Sequence, residues 1–129
     1  GTSPLDSVVI DGLMKVDEDG TLMDEVVETF LRLAPARLAA LEKAAQEGNA
    51  ASLERAAHSF LGSCGNLGCR RMAELCGELE VLGRSGSTEG ATRTVGTLQD
   101  EFALARPFLE ALPGLHPLRA ASAGDPPAS

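Results

Sequence analysis

Residues 56–68 read AAHSFLGSCGNLG, and this segment decides the fold that the sequence predicts. Together with the residues before it, the segment places apolar side chains three and four positions apart, which is the spacing of one face of an α-helix. That face comprises Leu53, Ala57, Phe60, Cys64 and Leu67. On a helical wheel, His58 lies about 140° from the centre of this face. The pattern therefore predicts a packed helix with a histidine on its exposed side.

Four residues surround His58 on the predicted helix surface: Glu54, Leu61, Gly62 and Gly65. Each glycine costs a helix about 1 kcal/mol relative to alanine, so a glycine beside an exposed ring requires a reason. For Gly62 we favour the explanation that glycine gives a large partner access to the imidazole. The alternative is that glycine permits a close crossing with another helix. For Gly65 we favour the explanation that the end of the helix begins at this residue. Glu54 either accepts a hydrogen bond from the imidazole or is a solvated charge on the helix face.

Apolar residues recur at helical spacing through most of the chain and predict an all-α protein. A short helix is expected at residues 5–16, followed by longer helical segments at 21–47, 49–64, 70–82 and from about 87 to 112. Four long helices joined by short turns favour an antiparallel bundle. The predicted architecture is an antiparallel four-helix bundle with a short extra N-terminal helix.

Local signals predict where these helices begin and bend. The run at residues 17–20, Asp-Glu-Asp-Gly, predicts a solvated turn, and Thr21 and Asn49 are the expected N-caps of the helices that follow. Pro35 either kinks one helix or separates two abutting helices, because proline cannot donate the backbone hydrogen bond of a helix interior. Pro107 predicts a bend in the last helix for the same reason.

The length of 129 residues predicts one domain with irregular ends. Residues 1–4 are expected to be a flexible terminus or a cloning remnant, and residues 5–112 are expected to form the bundle. Residues 113–129 begin with Pro-Gly and are rich in Ala, Ser, Gly and Pro, so a disordered tail is predicted. His116 falls in this tail, where we expect no role for it.

Composition argues against several functional classes. The formal net charge of −8 argues against nucleic-acid binding, which needs basic patches. The chain has no run of 18 apolar residues and does not open with a signal-peptide pattern, so no membrane association is predicted and the expected location is cytoplasmic. The three cysteines lack the spacing of a zinc site, and no metal is expected. Reduced core thiols are predicted instead: Cys64, Cys69 and Cys76.

An exposed imidazole is suited to phosphoryl transfer, because a neutral ring nitrogen can attack phosphorus and histidine titrates near neutral pH. The segment around His58 also resembles the active-site helix of histidine-containing phosphotransfer (HPt) domains, which reads roughly A-H-x-L-K-G-S-x-x-x-L-G. Three dipeptides match this pattern position by position: Ala57-His58, Gly62-Ser63 and Leu67-Gly68. The resemblance covers roughly residues 5–112, in order.

The resemblance implies that His58 is phosphorylated, through Nε2, and that Gly62 leaves space for the phosphoryl group and a docking receiver domain. In such relays the receiver supplies the aspartyl phosphate and its Mg²⁺, so no cofactor is expected in this chain. The implied role is a phosphorelay intermediate in two-component signalling, which is a phosphocarrier rather than an enzyme. The implied partners are response-regulator receiver domains and a hybrid histidine kinase, of which this domain could itself be a part.

One position departs from the family pattern, because Leu61 stands where the family usually has lysine. A lysine there would stabilise the phosphoryl group, and a leucine cannot. Arg55, or a residue of the Arg70-Arg71 pair, could partly substitute; alternatively, Leu61 adds apolar contact to a receiver. We expect retained phosphotransfer with a less stabilised phosphohistidine.

The alternative hypothesis is a non-catalytic helical adaptor that binds receiver domains without efficient transfer. In either case the expected partner-binding residues surround the histidine: Glu54, Arg55, Leu61, Gly62 and Gly65.

Overall fold

The computed structural model describes residues 4–115, which contain five helices and no strand. The helices are α1 (Ser7–Val16), α2 (Thr21–Glu47), α3 (Ala50–Asn66), α4 (Arg70–Arg84) and α5 (Ala91–Leu115). The prediction of an all-α bundle with an extra N-terminal helix is confirmed. None of the helices in this range is long and apolar enough to cross a membrane. Residues 1–3 of the predicted terminus (1–4) and residues 116–129 of the predicted tail (113–129), including His116, lie outside the described residues.

The four long helices form a closed ring of neighbours. The α3–α4 pair has the most extensive contact, α2 packs against both α3 and α5, and α4 packs against α5. The short helix α1 is joined to the end of α3, where the backbone N–H of Asp6 donates to the carbonyl of Gly68 over 2.6 Å. Gly68 has a φ of +69°, and a side chain there would meet the backbone of Asp6. A glycine is therefore required where α1 meets the bundle.

The core is one apolar cluster to which every helix contributes. Its aromatic centre consists of Phe30 on α2, which lies 5.8 Å from Phe60 on α3 and 6.1 Å from Phe102 on α5, measured between ring centroids. Phe60 is fully buried, as the apolar face of α3 predicts. The burial of this face fixes the rotation of α3, and its opposite side is left to solvent.

The start of α2 differs from the sequence prediction. Asp17 is only 3% exposed, and its carboxylate accepts backbone hydrogen bonds from Gly20, Leu22 and Met23 over 3.0, 3.1 and 2.8 Å. The prediction of a solvated turn is therefore wrong for Asp17, which satisfies backbone donors that a helix start leaves unpaired. Thr21 is not the N-cap, because it already lies in the first turn of α2.

Other predicted boundaries are confirmed or shifted by a few residues. Asn49 caps α3, since its side-chain oxygen accepts from the backbone N–H of Ser52 over 3.1 Å. Pro35 lies within one continuous helix, which resolves the alternative of two helices. The helix α5 continues through Pro113 to Leu115, so the prediction that regular structure stops after residue 112 is wrong by three residues. Burial of Leu112 holds this last part of the helix against the core.

A glycine on α4 allows the backbones of α3 and α4 to approach closely. A Cβ atom at Gly83 would lie 2.6 Å from the carbonyl oxygen of Ala50 and 2.7 Å from the backbone nitrogen of Glu54. Both atoms belong to the backbone of α3, so no side chain could move aside. Only glycine permits this crossing, which sets the register of the two helices beside His58.

All three cysteines are free and buried, as predicted. A hydrogen bond with Cys76, together with burial, raises the pKa of the Cys64 thiol. Burial raises the pKa of Cys69 to about 12. Both thiols are therefore protonated packing groups in the core at neutral pH.

Candidate functional site

His58 lies midway along α3 with its side chain 76% exposed. Its neighbours on the opposite side of the helix, Ala57 and Phe60, are fully buried. The helical wheel therefore predicted the position of the imidazole correctly. The ring lies where another protein can reach it.

The imidazole is held by a carboxylate from α4. His58 Nδ1 lies 3.1 Å from both Oε1 and Oε2 of Glu80. An ionised carboxylate only accepts hydrogen bonds, so Nδ1 is the protonated nitrogen in this contact. When the ring is neutral, the second ring nitrogen, Nε2, has its lone pair free. Glu80 is itself buried, at 8% exposure, and this limits the positions that the carboxylate can take.

An arginine links this carboxylate to a second one. Arg84 Nη2 lies 3.5 Å from Glu80 Oε2, and Arg84 Nε lies 3.2 Å from Glu54 Oε2. The resulting chain of contacts runs from His58 through Glu80 and Arg84 to Glu54. These four residues and Arg55 line one open pocket on the α3–α4 face.

Glu54 does not contact the imidazole, although the sequence left that possibility open. Its carboxylate binds Arg84 instead, and Glu80 occupies the position beside Nδ1. Glu80 and Arg84 were not predicted as site residues, because both lie on another helix. Their spacing of four residues, with the carboxylate first, is a helical ion-pair signal. That signal does not indicate which residue of α3 they face.

Leu61, which stands where the family pattern has lysine, packs toward α4 instead of extending into solvent. The side chain is half-buried and packs against the core cluster. Its Cδ1 lies 3.5 Å from the position that a Cβ on Gly77 of α4 would occupy. Leu61 therefore contributes to the α3–α4 contact next to His58.

The arginines named as substitutes for the missing lysine lie in different places. Arg55 is exposed, lines the His58 pocket and donates to the hydroxyl of Ser52 over 3.4 Å. Arg71 pairs with Glu74 over 3.4 Å, and both it and Arg70 line a separate groove between α4 and α5. The suggestion that the Arg70-Arg71 pair serves the His58 site is therefore wrong.

Both glycines beside His58 face open space. Within the described residues, and apart from the backbone of their own helix, no heavy atom lies within 4 Å of a Cβ placed on Gly62 or Gly65. Gly62 therefore does not serve a helix crossing, a role that belongs to Gly83. Gly65 lies one residue before the end of α3, as predicted. The surface next to His58 is left open at Gly62.

The other flank of His58 is formed by α2. Arg37 on α2 donates a hydrogen bond from Nη1 to the hydroxyl of Ser59. Farther along α3, a cleft of about 310 Å³ separates α2 from α3, with buried Phe60 and Leu67 among its lining residues. The histidine thus lies on a surface to which α2, α3 and α4 all contribute.

Comparisons with known proteins point to one family. A family model described as "Hpt domain" matches residues 25–107, which include the whole of α3 and α4. Among solved structures, the chain is similar to histidine-containing phosphotransfer protein B (HptB) from Pseudomonas aeruginosa PAO1. The identity is 32% and the TM-score is 0.73, over 88% of this chain and 96% of that chain. Among curated proteins, none matches.

Proposed function

This chain belongs to the Hpt domain family, and from that premise we propose that His58 is the residue on which it carries a phosphoryl group. Its role is histidine phosphotransfer in a phosphorelay of two-component signalling. One observation supports the assignment of His58 as this residue: its ring is exposed, and its Nδ1 contacts a buried carboxylate. That pairing leaves Nε2 as the nucleophilic nitrogen.

In the proposed reaction, the Nε2 lone pair attacks the phosphorus of a receiver aspartyl phosphate. The new N–P bond forms as the P–O bond to the aspartate breaks, and the aspartate leaves as a carboxylate. The ring retains its proton at Nδ1 and becomes positively charged, and the carboxylate of Glu80 lies next to that charge. Transfer to a second receiver runs the same steps in reverse, so the chain acts as a carrier and not as a hydrolase.

We propose receiver domains of response regulators as the partners, with a hybrid histidine kinase as the source of the first phosphoryl group. The open surface at Gly62 and the exposure of Arg55 support docking over the middle of α3. The net charge of −8 agrees with a protein partner rather than a nucleic acid. The unpaired cysteines agree with action in the reducing environment of the cytoplasm.

The adaptor hypothesis is the second candidate, and the replacement of lysine by Leu61 is the observation in its favour. In that case the chain binds a receiver but takes no phosphoryl group. The two candidates therefore predict the same complex and different products.

The deciding experiment incubates the chain with a receiver whose aspartate carries radiolabelled phosphoryl, and compares it with His58→Gln. We expect label on the native chain and a loss of at least 100-fold in the variant, because glutamine has no nucleophilic ring nitrogen. Circular dichroism serves as the control for folding, and no change is expected since the side chain is exposed. Equal binding with no label on the native chain would establish the adaptor, and label on His58→Gln would assign the chemistry to another residue.

A further inference from the structure

The position that holds lysine in the family pattern is Leu61 here, yet a phosphoryl group on His58 would add a charge of about −1.5 to −2. We propose that Arg84 supplies the cation for this phosphoryl group, from α4 rather than from α3. The inference rests on the proposed phosphorylation of His58. It assigns to Arg84 a direct contact with the phosphoryl oxygens.

Arg84 is linked to the imidazole through a single carboxylate oxygen. Its Nη2 lies 3.5 Å from Glu80 Oε2, and the same oxygen lies 3.1 Å from His58 Nδ1. Arg84 and the ring therefore share one carboxylate. The Arg84 side chain is 65% exposed, so it can change rotamer without disturbing the core.

Arg84 also has N–H donors beyond those that contact Glu54 and Glu80. A guanidinium carries five N–H donors, and the contacts with Glu54 and Glu80 are made by Nε and Nη2. Phosphoryl oxygens accept charge-assisted hydrogen bonds from such a planar donor set, frequently two at a time. Arg84 can therefore bind the phosphoryl group through its remaining donors while Nε keeps its contact with Glu54.

The charge balance of the transfer favours this movement. Before transfer, Arg84 provides positive charge beside the buried carboxylate of Glu80. After transfer, the His58 ring is itself a cation and faces that carboxylate through Nδ1. The cationic ring then neutralises Glu80, so the carboxylate depends less on its 3.5 Å contact with Arg84. The new negative charge lies at Nε2, on the other side of the ring from Glu80, and it attracts the guanidinium.

Two other arginines lie near His58 but are less well placed. Arg55 lines the same pocket, yet its contact is with a serine hydroxyl and not with the carboxylate that holds the ring. Arg37 is bound to Ser59 on the opposite flank, toward α2. Only Arg84, of these three, shares a carboxylate with His58.

The test uses the full chain and needs no receiver. Phosphoramidate, whose nitrogen is protonated in solution, phosphorylates a histidine directly: Nε2 attacks phosphorus and the P–N bond to the donor breaks. The donor nitrogen leaves as neutral ammonia, and the ring keeps its proton at Nδ1. The donor is then removed, and the loss of phosphohistidine is followed by ³¹P NMR. We expect Arg84→Ala to lose the phosphoryl group about tenfold faster than the native chain, since charge-assisted hydrogen bonds are lost.

Two further variants separate a charge effect from a structural one. Leu61→Lys in the Arg84→Ala background should restore the slow loss, because it returns a cation from the neighbouring helix. Arg71→Ala removes an arginine that is paired with Glu74 away from the site, and it should behave as the native chain. If Leu61→Lys fails to restore slow loss, Arg84 acts by holding Glu80 and the proposal is wrong.

The outcomes also distinguish this inference from the proposed function. Equal loss rates in Arg84→Ala and the native chain overturn the role of Arg84 and leave His58 as the phosphorylated residue. If the native chain takes up no more phosphoryl group than His58→Gln, the phosphorylation of His58 itself is refuted.

Discussion

At the scale of single residues, the site depends on a pair that spans two helices. His58 is exposed and Glu80 is buried, and their contact at Nδ1 selects the ring nitrogen that remains free. In a neutral imidazole one nitrogen is protonated and the other is nucleophilic, and the partner of the first decides the identity of the second. A surface histidine without such a partner would distribute its proton between both nitrogens. The carboxylate therefore distinguishes His58 from an ordinary surface histidine.

Gly62 lies on the surface where we expect a receiver domain to dock, so a larger side chain there should hinder docking. Substitution by leucine should leave the fold intact, since leucine favours a helix more than glycine does. Apart from the backbone of its own helix, no atom of the described residues lies within 4 Å of a Cβ at this position. Phosphorylation of His58 by phosphoramidate should change by less than about threefold. Transfer from a phosphorylated receiver should slow by about tenfold or more, because a close protein interface tolerates extra volume poorly. Rapid-quench transfer kinetics measure this difference.

Gly96→Leu is the matched control for that experiment. Gly96 lies in the helix α5 and also has open space around it, but α5 packs against α2 and α4. Both phosphorylation reactions should match those of the native chain in this variant. Receiver transfer that is equally fast in Gly62→Leu and Gly96→Leu would remove Gly62 from the docking surface.

At the scale of helices, the packing of α3 on α4 assembles the site. Gly83 allows the backbones to approach, and Leu61 fills the space over Gly77. These contacts bring Glu80 opposite His58, although the two residues are 22 positions apart in the sequence. The site is therefore a product of one helix pair and its register.

Gly83→Ala tests this dependence. The added Cβ would lie 2.6 Å and 2.7 Å from two backbone atoms of α3, so the helices must separate. We expect the free energy of unfolding to fall by about 2 kcal/mol, because overpacking outweighs the gain in helix propensity. Urea denaturation measures this change, and phosphorylation of His58 should also slow as Glu80 moves.

Gly62→Ala is the comparison for Gly83→Ala, since it makes the same substitution at an open helical position. It should raise the free energy of unfolding by up to about 1 kcal/mol. Opposite signs for the two variants support the close crossing at Gly83. A stabilised Gly83→Ala would contradict it.

At the scale of the whole molecule, one apolar core orders all five helices and encloses the thiols. Burial raises the pKa of Cys69 from 9.0 to about 12, and the pKa of Cys64 is also raised. A raised pKa means that the folded state keeps the proton longer than the unfolded chain does. The stability that this provides is complete below pH 9 and declines as the pH rises from 9 toward 12.

Alkaline unfolding should reveal these thiols. Each thiol that remains protonated only in the folded state lowers the free energy of unfolding by up to about 1.4 kcal/mol per pH unit above pH 9. Denaturation at several values between pH 8 and 11 gives the slope for the native chain. Cys69→Ala should have a shallower slope, whatever its stability at pH 7. Identical slopes would show that Cys69 ionises as readily in the folded protein as in the unfolded chain.

Much of the molecule follows from local patterns in the sequence. Apolar spacing places Phe60 in the core and His58 on the surface, because the rotation between successive helical residues is constant. Asn49 caps α3 through an interaction with a residue three positions away. Such features need only neighbouring residues, so the sequence alone determines them. The family pattern around His58 is equally local, and it indicated the function.

Only the tertiary structure decided which residues complete the candidate site. Glu80 rather than Glu54 faces the imidazole, and Arg84 rather than Arg70 or Arg71 accompanies it. These choices depend on the register and rotation of α4 against α3, which the crossing at Gly83 and the burial of both apolar faces set together. A helical wheel describes one helix and contains no information about its neighbour, so the partners of His58 emerge only when the bundle closes.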